Sequence, residues 1–220
     1  MPKDRYQDYY KNHYKVTFSD EDISRWCGWF TGEWKHIRKY IKFKRGMRVL
    51  DIGSGSGGFY EIMRREGVQL DYVGLDLDPT IVDFANKHFK VRSFRNQKFE
   101  DHKPRQKYDL IVAFEVLEHV DDPGKFVQRI YKLLNPRGMF IGTTPFPFKK
   151  NIVSDATHVS VLHPLNWERL FKNSGFKKVS SEPMTYLPGL WRISPAINVR
   201  IPFYIGLPKL VSTSFIQASK

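Results

Sequence analysis

The stretch VLDIGSGSGG, from Val49 to Gly58, joins an apolar run to a glycine-rich turn. The aliphatic and β-branched content of Met47 to Ile52 predicts a buried strand. The glycines allow tight backbone geometry and leave no side chain in the way of a ligand. Phe59, Ile62 and Met63 follow at helical spacing, so the turn opens a helix. A strand, an open turn and a helix N-terminus together predict a nucleotide-sized cradle.

The glycine spacing by itself fits more than one ligand. Gly53, Gly55 and Gly58 satisfy the dinucleotide fingerprint, which is weak evidence without further context. Asp76 follows the second predicted strand, Tyr72 to Leu75, and can accept hydrogen bonds from ribose hydroxyls. This arrangement suits a dinucleotide or any adenosyl ligand. The structural alternative is a turn whose glycines only let the helix pack closely on the sheet.

The composition predicts one folded α/β domain in a reducing compartment. A chain of 220 residues with 41% hydrophobic and 15% aromatic residues can bury a sizeable core. Cys27 is the only cysteine, so no internal disulfide can form. The N-terminal MPKDRYQDYY lacks the apolar core of a secretory signal, and no apolar stretch approaches the roughly 20 residues that cross a bilayer. We therefore expect a cytoplasmic protein.

The formal net charge of +13 at pH 7 indicates an anionic partner. Much of it lies in a basic cluster just before the first strand, formed by Lys35, Arg38, Lys39, Lys42, Lys44, Arg45 and Arg48. Such a cluster can attract nucleic acid, anionic lipid head groups or a phosphorylated substrate. The plainer alternative is a solvated helix face.

The chain divides into residues 1–46 and 47–220. In the first segment, three- and four-residue spacing predicts an N-terminal helical cap over the core, with apolar positions Trp26, Phe30, Trp34, Ile37 and Ile41. The second segment alternates strands and helices. Further strands are predicted at Asp109–Phe114, Met139–Gly142, Phe176–Ser180 and Leu210–Lys220, and helices begin at Asp78-Pro79, Asp122-Pro123 and Pro164.

An aromatic insertion of about residues 181–209 separates the last two predicted strands. It is rich in prolines and aromatic residues and is too long for an ordinary hairpin loop. Its length favours a binding lid or a surface patch. The alternative is a loop that packs its own aromatic side chains against the domain.

Taken together, these blocks resemble the class I S-adenosylmethionine-dependent methyltransferases. VLDIGSGSGG resembles the first family motif, YVGLDLDP (Tyr72–Pro79) the second, YDLIVAFEVLEHV (Tyr108–Val120) the third, and LLNPRGMFIGTTP (Leu133–Pro145) the block around strand five. The segment from Thr157 to Phe176 is similar to small-molecule O-methyltransferases, including those of ubiquinone synthesis. The resemblance covers roughly residues 45–182 and the final strand. It implies a Rossmann-like seven-stranded, mostly parallel sheet with one antiparallel strand and helices on both faces.

The resemblance also implies that S-adenosylmethionine binds at the carboxyl ends of the strands, as open α/β sheets generally bind their ligands. The positions expected around its methionine end and the turn are Asp51, Gly53, Ser54, Gly55 and Gly57. The positions expected at the ribose and adenine are Asp76, Leu77, Phe99 and Glu100. Phe114 and Glu115 are expected to face the methyl donor.

Methyl transfer from a sulfonium demands little of the protein beyond holding the nucleophile in line and excluding water. An oxygen nucleophile usually also needs a base, and histidine titrates in the useful range. We predict His119 and His158 as catalytic residues, with His163 as a third candidate. The plainer alternative for each is a structural or surface histidine.

Glu118 and His119 follow Glu115 by three and four residues, a spacing that would put all three on one side of a helical turn. With His158 they could bind a divalent cation. The pattern resembles the metal site of small-RNA 3′-terminal 2′-O-methyltransferases and an acidic-histidine cluster of some ubiquinone O-methyltransferases. We assign no metal ligand at this stage and keep the cation as a hypothesis.

The sequence thus predicts an O-methyltransferase that acts on a small-molecule or lipid-linked acceptor, with peripheral membrane contact through the basic cluster and the aromatic insertion. The alternative is an RNA 2′-O-methyltransferase, which the net charge favours and the lack of a recognisable RNA-binding module opposes. A nicotinamide-dependent oxidoreductase fits the glycines, but the chain is too short for a substrate domain.

Overall fold

The computed structural model describes residues 34, 36–153, 155–186, 200–206 and 211–220. Trp26 and Phe30 of the predicted N-terminal cap and most of the aromatic insertion lie outside these residues. Within them, Trp34 and Ile37 are helical and pack with Ile41 into the core, as the spacing predicts.

A single mixed sheet holds the described strands together. Its strands are β1 (Met47–Ile52), β2 (Leu70–Asp76), β3 (Phe94–Asn96), β4 (Tyr108–Phe114), β5 (Leu134–Pro145), β6 (Lys178–Tyr186), β7 (Arg200–Ile201) and β8 (Val211–Ser219). They lie in the order β3-β2-β1-β4-β5-β8-β6-β7. Strands β1 to β5 are parallel, and β8 lies antiparallel between β5 and β6. The predicted seven-stranded sheet is confirmed, and the two-residue β7 extends its outer edge.

Helices cover both faces of this sheet. They are α1 (Gly58–Arg65), α2 (Pro79–Phe89), α3 (Pro123–Leu133), α4 (Lys149–Val153) and α5 (Pro164–Asn173), with single turns of 3₁₀ helix at Phe99–Asp101 and Leu117–His119. Helices α1 and α2 contribute apolar side chains to one core cluster, and α3 and α5 contribute to the other. Burial on both faces explains why the parallel strands read as continuous apolar runs.

The predicted helix starts are confirmed by their caps. The Asp78 side chain accepts a hydrogen bond from the Thr80 backbone N–H at 2.8 Å, and Asp122 accepts one from Lys125 at 3.0 Å. In each case a proline occupies the first helical position, where its missing N–H costs nothing.

Strand β2, predicted at Tyr72–Leu75, spans Leu70–Asp76, and two other strands extend further still beyond their predicted bounds. Strand β5 begins at Leu134 instead of Met139, with a bulge between these residues where Arg137 has a φ of +66°. Strand β6 runs to Tyr186 because β8 pairs with it along its whole length, so residues 181–186 belong to the sheet and not to the insertion. The predicted strand start at Phe176 was wrong, since this side chain packs into the core before the sheet pairing begins.

Candidate active site

The glycine turn after β1 lies at the carboxyl edge of the sheet. The backbone N–H groups of Gly53 and Ser54 both donate to the Leu75 carbonyl, at 2.8 and 3.0 Å, which ties the turn to β2. Gly53 and Gly55 have φ values of +70° and +51°, a conformation that favours glycine. A Cβ added to Gly53 would overlap Val116, whereas one added to Gly55 would meet nothing within 4 Å. Gly55 therefore borders open space.

Gly57 has a different reason to be glycine. Its φ is +90°, and a Cβ there would lie 2.6 Å from the Phe89 ring and 2.9 Å from the Phe94 ring. The structural alternative, close packing of the turn, thus holds at Gly57. The Ser54 side chain is also turned inward, against Gly74 of β2, so only its backbone lines the turn.

Asp76 closes β2 beside this turn. One carboxylate oxygen accepts the Gly55 N–H at 2.9 Å and the other accepts the Asp78 N–H at 3.0 Å. Burial raises the pKa of Asp76, and these backbone hydrogen bonds oppose the rise. Leu77 follows with 37% of its surface exposed, which is unusual for a leucine in this chain. The structure brings the predicted ribose and adenine contacts, Asp76 and Leu77, together with Gly55.

Asp51 lies beneath the turn, with only 2% of its surface exposed. The Tyr72 hydroxyl donates a hydrogen bond to it at 2.6 Å, a contact that sequence reasoning missed. Burial raises the pKa of Asp51 to about 7, with the Tyr72 hydrogen bond opposing the rise and the charge of Asp76 adding to it. A buried acid in this position can pair with a cationic group of a ligand bound over the turn.

The predicted aromatic contacts belong to the core. The Phe99 ring is buried against Phe126, with 4.8 Å between centroids, and Phe114 packs against Phe59 at 5.6 Å. Glu100 is exposed next to Phe99. Among the residues expected at the adenine, Leu77 and Glu100 therefore have side chains that a ligand can reach.

Glu115 follows β4 in a strained conformation. Its φ of +53° is rare for a residue with a side chain, and its N–H donates to the Thr143 carbonyl at 3.0 Å. Burial raises the pKa of Glu115 to about 7, against the effect of the Thr143 hydroxyl. Its Oε1 atom is buried and has no hydrogen-bond partner among the described residues. Such strain accumulates at functional sites.

The turn Leu117–His119 presents the predicted cluster of acidic and histidine side chains. Glu118 is 1% exposed, and its Oε1 lies 3.9 Å from His119 Nε2. The His119 and His158 rings are 5.0 Å apart, and one ligand atom each from Glu118, His119 and His158 lies within 4.8 Å of the others. The structure therefore brings together residues that lie about 40 positions apart in the chain.

The donor set of this cluster suits a divalent cation. Burial raises the pKa of Glu118 well above its ordinary value, the charge of Glu115 adds to the rise, and the nearby Thr144 hydroxyl opposes it. Glu118 Oε2 is buried without a hydrogen-bond partner in the described part of the chain. A cation would relieve both the repulsion and the missing contact, and mixed carboxylate and imidazole ligands favour manganese or zinc.

His163, the third histidine candidate, lies apart from the cluster. Its exposed ring caps helix α5, where Nδ1 accepts the Leu165 N–H at 3.3 Å. A capping contact is the structural role that the sequence analysis gave as the plainer alternative.

Sequence reasoning missed the residues that hold the two catalytic candidates. Thr157 contacts His119 and is itself held by Asp155, and the Asn151 carbonyl contacts His158. A signal for Asp155 and Thr157 was present, because an aspartate two residues before a threonine favours a turn closed by its side chain.

Known proteins resemble this chain in sequence and in fold. A family model described as "Methyltransferase domain" matches residues 29–181. The ubiquinone biosynthesis O-methyltransferase of Rhodopseudomonas palustris (strain TIE-1) is 34% identical over 110 residues, which are 48% of this chain and 43% of that protein. The one of Coxiella burnetii (strain Dugway 5J108-111) is 26% identical over 174 residues, covering 70% of this chain and 73% of that protein. The chain thus spans less than half the length of the first of these relatives.

Solved structures agree with the architecture. A SAM-dependent methyltransferase from Archaeoglobus fulgidus has a TM-score of 0.66 at 19% identity, covering 88% of this chain and 94% of that one. Phosphoethanolamine N-methyltransferase 2 of Haemonchus contortus, in complex with S-adenosyl-L-methionine, has a TM-score of 0.63 at 18% identity, covering 97% and 59%. At these identities the likeness establishes the fold.

Proposed function

The chain belongs to the methyltransferase-domain family, and on that premise we propose that it transfers a methyl group from S-adenosylmethionine to an oxygen of a small-molecule acceptor. The observation that carries the proposal is the meeting of two features at one sheet edge. An open glycine turn with Asp76 lies there beside the cluster of Glu118, His119 and His158. The names of the relatives support an oxygen as the acceptor atom.

The residues at the turn fit S-adenosylmethionine. The Asp76 carboxylate can receive the ribose hydroxyls, Leu77 offers an exposed apolar surface to the adenine, and the buried Asp51 suits the ammonium of the methionine end. When bound, the cofactor supplies a methyl group on a positively charged sulfur, which a nucleophile can displace without further activation.

The chain's own residues then have to orient the acceptor and take its proton. As the acceptor oxygen forms its bond to the methyl carbon, its hydroxyl must lose a proton. An imidazole nitrogen of His119 or His158 can receive that proton, since a neutral imidazole is a base near neutral pH. Glu118 lies beside His119, and although burial and the charge of Glu115 raise the pKa of Glu118, an imidazolium that forms next to it favours the ionised carboxylate.

Glu118, His119 and His158 would alternatively hold a divalent cation, with Glu115 beside it. Such a cation would supply a Lewis acid that favours the deprotonated acceptor oxygen. The two histidines would then be ligands and not proton acceptors. Both alternatives, the histidine base and the metal site, need imidazole lone pairs that are directed into the site.

We further propose that the acceptor is lipid-linked and that the protein meets it at a membrane surface. An apolar rim lies at the carboxyl edge, formed by the exposed side chains of Ile152, Val153, Val159, Leu165 and Phe203. Phe146 connects its parts, because its ring contacts those of Phe148, His163 and Tyr204. Lys149 and Lys150 of α4 adjoin the rim and suit anionic head groups.

Lys44, Arg45 and Arg48 of the basic cluster lie at the other edge of the sheet, where β1 and β2 begin. The Arg48 N–H donates to Asp109 at the start of β4, and the Arg48 side chain pairs with Asp71 at 2.7 Å. One flat membrane cannot contact both edges, so the proposed membrane contact involves the apolar rim without this cluster. No described helix is both long and apolar enough to span a bilayer. A cytoplasmic location with peripheral membrane contact is part of the proposal.

The RNA 2′-O-methyltransferase alternative is not favoured by the relatives, which are named for ubiquinone biosynthesis. Because the chain belongs to the methyltransferase-domain family, the nicotinamide-dependent oxidoreductase alternative is not favoured either.

Methyl transfer can be tested directly. The protein is incubated with isotope-labelled S-adenosylmethionine and phenolic acceptors with and without an isoprenoid tail, and the products are analysed by mass spectrometry. We expect label on an acceptor oxygen and saturable binding of S-adenosylhomocysteine by calorimetry. Absence of S-adenosylhomocysteine binding, or label found only on a ring carbon, would contradict the proposal.

A further inference from the structure

Both histidines of the cluster meet hydrogen-bond acceptors at their Nδ1 atoms. His158 Nδ1 lies 2.6 Å from the Asn151 carbonyl oxygen. His119 Nδ1 lies 2.9 Å from Thr157 Oγ1 and 3.2 Å from the Thr157 carbonyl oxygen. A carbonyl oxygen can only accept, so neutral His158 carries its proton on Nδ1.

Thr157 favours the same tautomer of His119 through two atoms, its carbonyl oxygen, which only accepts, and its hydroxyl, whose direction Asp155 sets. Thr157 Oγ1 donates to Asp155 Oδ1 at 2.6 Å, and the Thr157 N–H donates to the same oxygen at 2.8 Å. Because a carboxylate only accepts, the hydroxyl hydrogen is committed to Asp155 and a lone pair faces His119. Thr157 is fully buried, so water does not compete for this contact.

We propose that Asp155 and Thr157 are positioning residues, which hold His119 in its Nδ1–H tautomer and so direct its Nε2 lone pair into the cluster. The inference rests on the proposed function and deepens it. With His158 held in the same tautomer, both imidazoles direct an Nε2 lone pair toward the cluster that they form with Glu118. Such a set can take up a divalent cation or the proton of an acceptor hydroxyl, and a flipped tautomer would block both.

A purely structural role is the competing explanation. The hydrogen bonds from Asp155 through Thr157 to His119, here called the relay, join the loop around Asp155 to the turn that carries His119, which lies 38 residues away from Thr157 in the chain. If it served only to hold the loop, breaking it would lower stability and leave the His119 tautomer unchanged. The decisive readout is therefore the position of the ring proton.

The variants differ in what they do to that proton. Asp155→Ala removes the acceptor of the Thr157 hydroxyl, whose hydrogen can then turn toward His119 Nδ1 and favour the ring proton on Nε2. Thr157→Ser keeps the hydroxyl and should behave like the wild type. Asp83→Ala, at an exposed carboxylate of α2, is the matched control for loss of one negative charge.

Long-range ¹H–¹⁵N spectra of the histidine-labelled protein report which ring nitrogen carries the proton. We expect His119 protonated on Nδ1 in the wild type, Thr157→Ser and Asp83→Ala, and on Nε2 in Asp155→Ala. Calorimetric titration with Mn²⁺ and with Zn²⁺ should show about 10- to 100-fold weaker binding for Asp155→Ala, the usual effect of losing a residue that orients a ligand.

A wild-type His119 protonated on Nε2 would overturn the proposal without any variant, even if Asp155→Ala failed to fold. An unchanged tautomer in folded Asp155→Ala would also overturn it. If neither metal binds the wild type, the spectra decide alone. S-adenosylhomocysteine binding is measured on the same samples, so that its absence counts against the proposed function and not against the relay.

Discussion

Asp76 links the two parts of the cofactor cradle, because its carboxylate oxygens accept N–H groups from the glycine turn and from the start of α2. Asp76→Ala removes the proposed ribose partner together with the anchor of Gly55. We expect S-adenosylhomocysteine to bind at least about tenfold more weakly, since hydrogen bonds to a charged group contribute about 1.5–3 kcal/mol. Calorimetry measures this affinity. Asp71→Ala, at the opposite end of β2, is the matched control and should bind like the wild type.

Asp51 should make the stability of the ligand-free protein depend on pH. Its pKa in the folded state is raised to about 7, so the folded state holds this proton more tightly than the unfolded chain does. The resulting stabilisation is full below the unfolded pKa near 4 and is lost as the pH rises through about 7. Asp51→Asn abolishes this titration and should flatten the curve.

Urea unfolding at several values between pH 5 and pH 8 measures the effect. The free energy of unfolding of Asp51→Asn should gain on that of the wild type as the pH rises, by on the order of 2–4 kcal/mol over the range. Glu115, whose pKa burial also raises to about 7, leaves some pH dependence in both proteins. Parallel curves for the two proteins would refute the assignment of the buried charge to Asp51.

At the scale of elements, the turn between β1 and α1 has glycines for two separable reasons. Gly53→Ala should lower the free energy of unfolding by about 2–4 kcal/mol, because it combines an unfavourable φ with overlap of Val116. Adding Val116→Ala should relieve the steric overlap and so regain part of the lost free energy of unfolding, whereas the backbone strain remains. Thermal or urea unfolding of the single and double variants measures the coupling, and strictly additive effects would contradict it.

Gly55→Ala is the contrasting change in the same turn. Its Cβ would point into open space, so only the backbone strain of about 1–2 kcal/mol is expected in stability. Binding of S-adenosylhomocysteine should fall much more than stability does, because the methyl group occupies the space proposed for the ligand. A variant that binds like the wild type would place the ligand elsewhere.

Local signals made most elements predictable from the sequence. Asp78 and Asp122 each precede a proline, and both cap a helix through contacts with residues only two or three positions away. The end of β6 could not be predicted in this way, because it depends on pairing with β8 across the insertion. Local sequence patterns reflect contacts between residues that are close in the chain, whereas the length of a strand is set by the strand that pairs with it.

The site was predictable to the same extent. Asp76 and Gly55 follow from strand ends and turn chemistry, but helical spacing was wrong for Glu115, whose φ of +53° puts it outside the turn Leu117–His119 and whose side chain does not join Glu118, His119 and His158. Nothing local shows that the Phe99 ring turns into the core against Phe126. The contact between Thr157 and His119 was equally hidden, because it joins two loops that only the assembled sheet brings together.

For the whole molecule, the opposite placement of the apolar rim and the basic cluster predicts how the protein meets a membrane. Val153→Ser combined with Phe203→Ser, two of the most exposed rim residues at 69% and 66%, should reduce cosedimentation with anionic vesicles several-fold. Lys44→Ser combined with Arg45→Ser, at the amino edge, should have a smaller effect in the same buffer.

Both double variants change surface residues and should unfold like the wild type, which thermal unfolding verifies. If the basic-cluster variant lost vesicle binding and the rim variant kept it, the proposed orientation would be wrong. Loss of binding in neutral as well as anionic vesicles by the rim variant would separate apolar insertion from attraction to charge.

Strand β8 lies between β5 and β6 although it follows both in the chain. During synthesis, the edge of β5 that pairs with β8 therefore remains unpaired until residues 211–219 have left the ribosome. Bare edges of this kind recruit other strands and promote aggregation. Nascent chains that stall before β8 should accordingly depend on chaperones far more than the finished protein does.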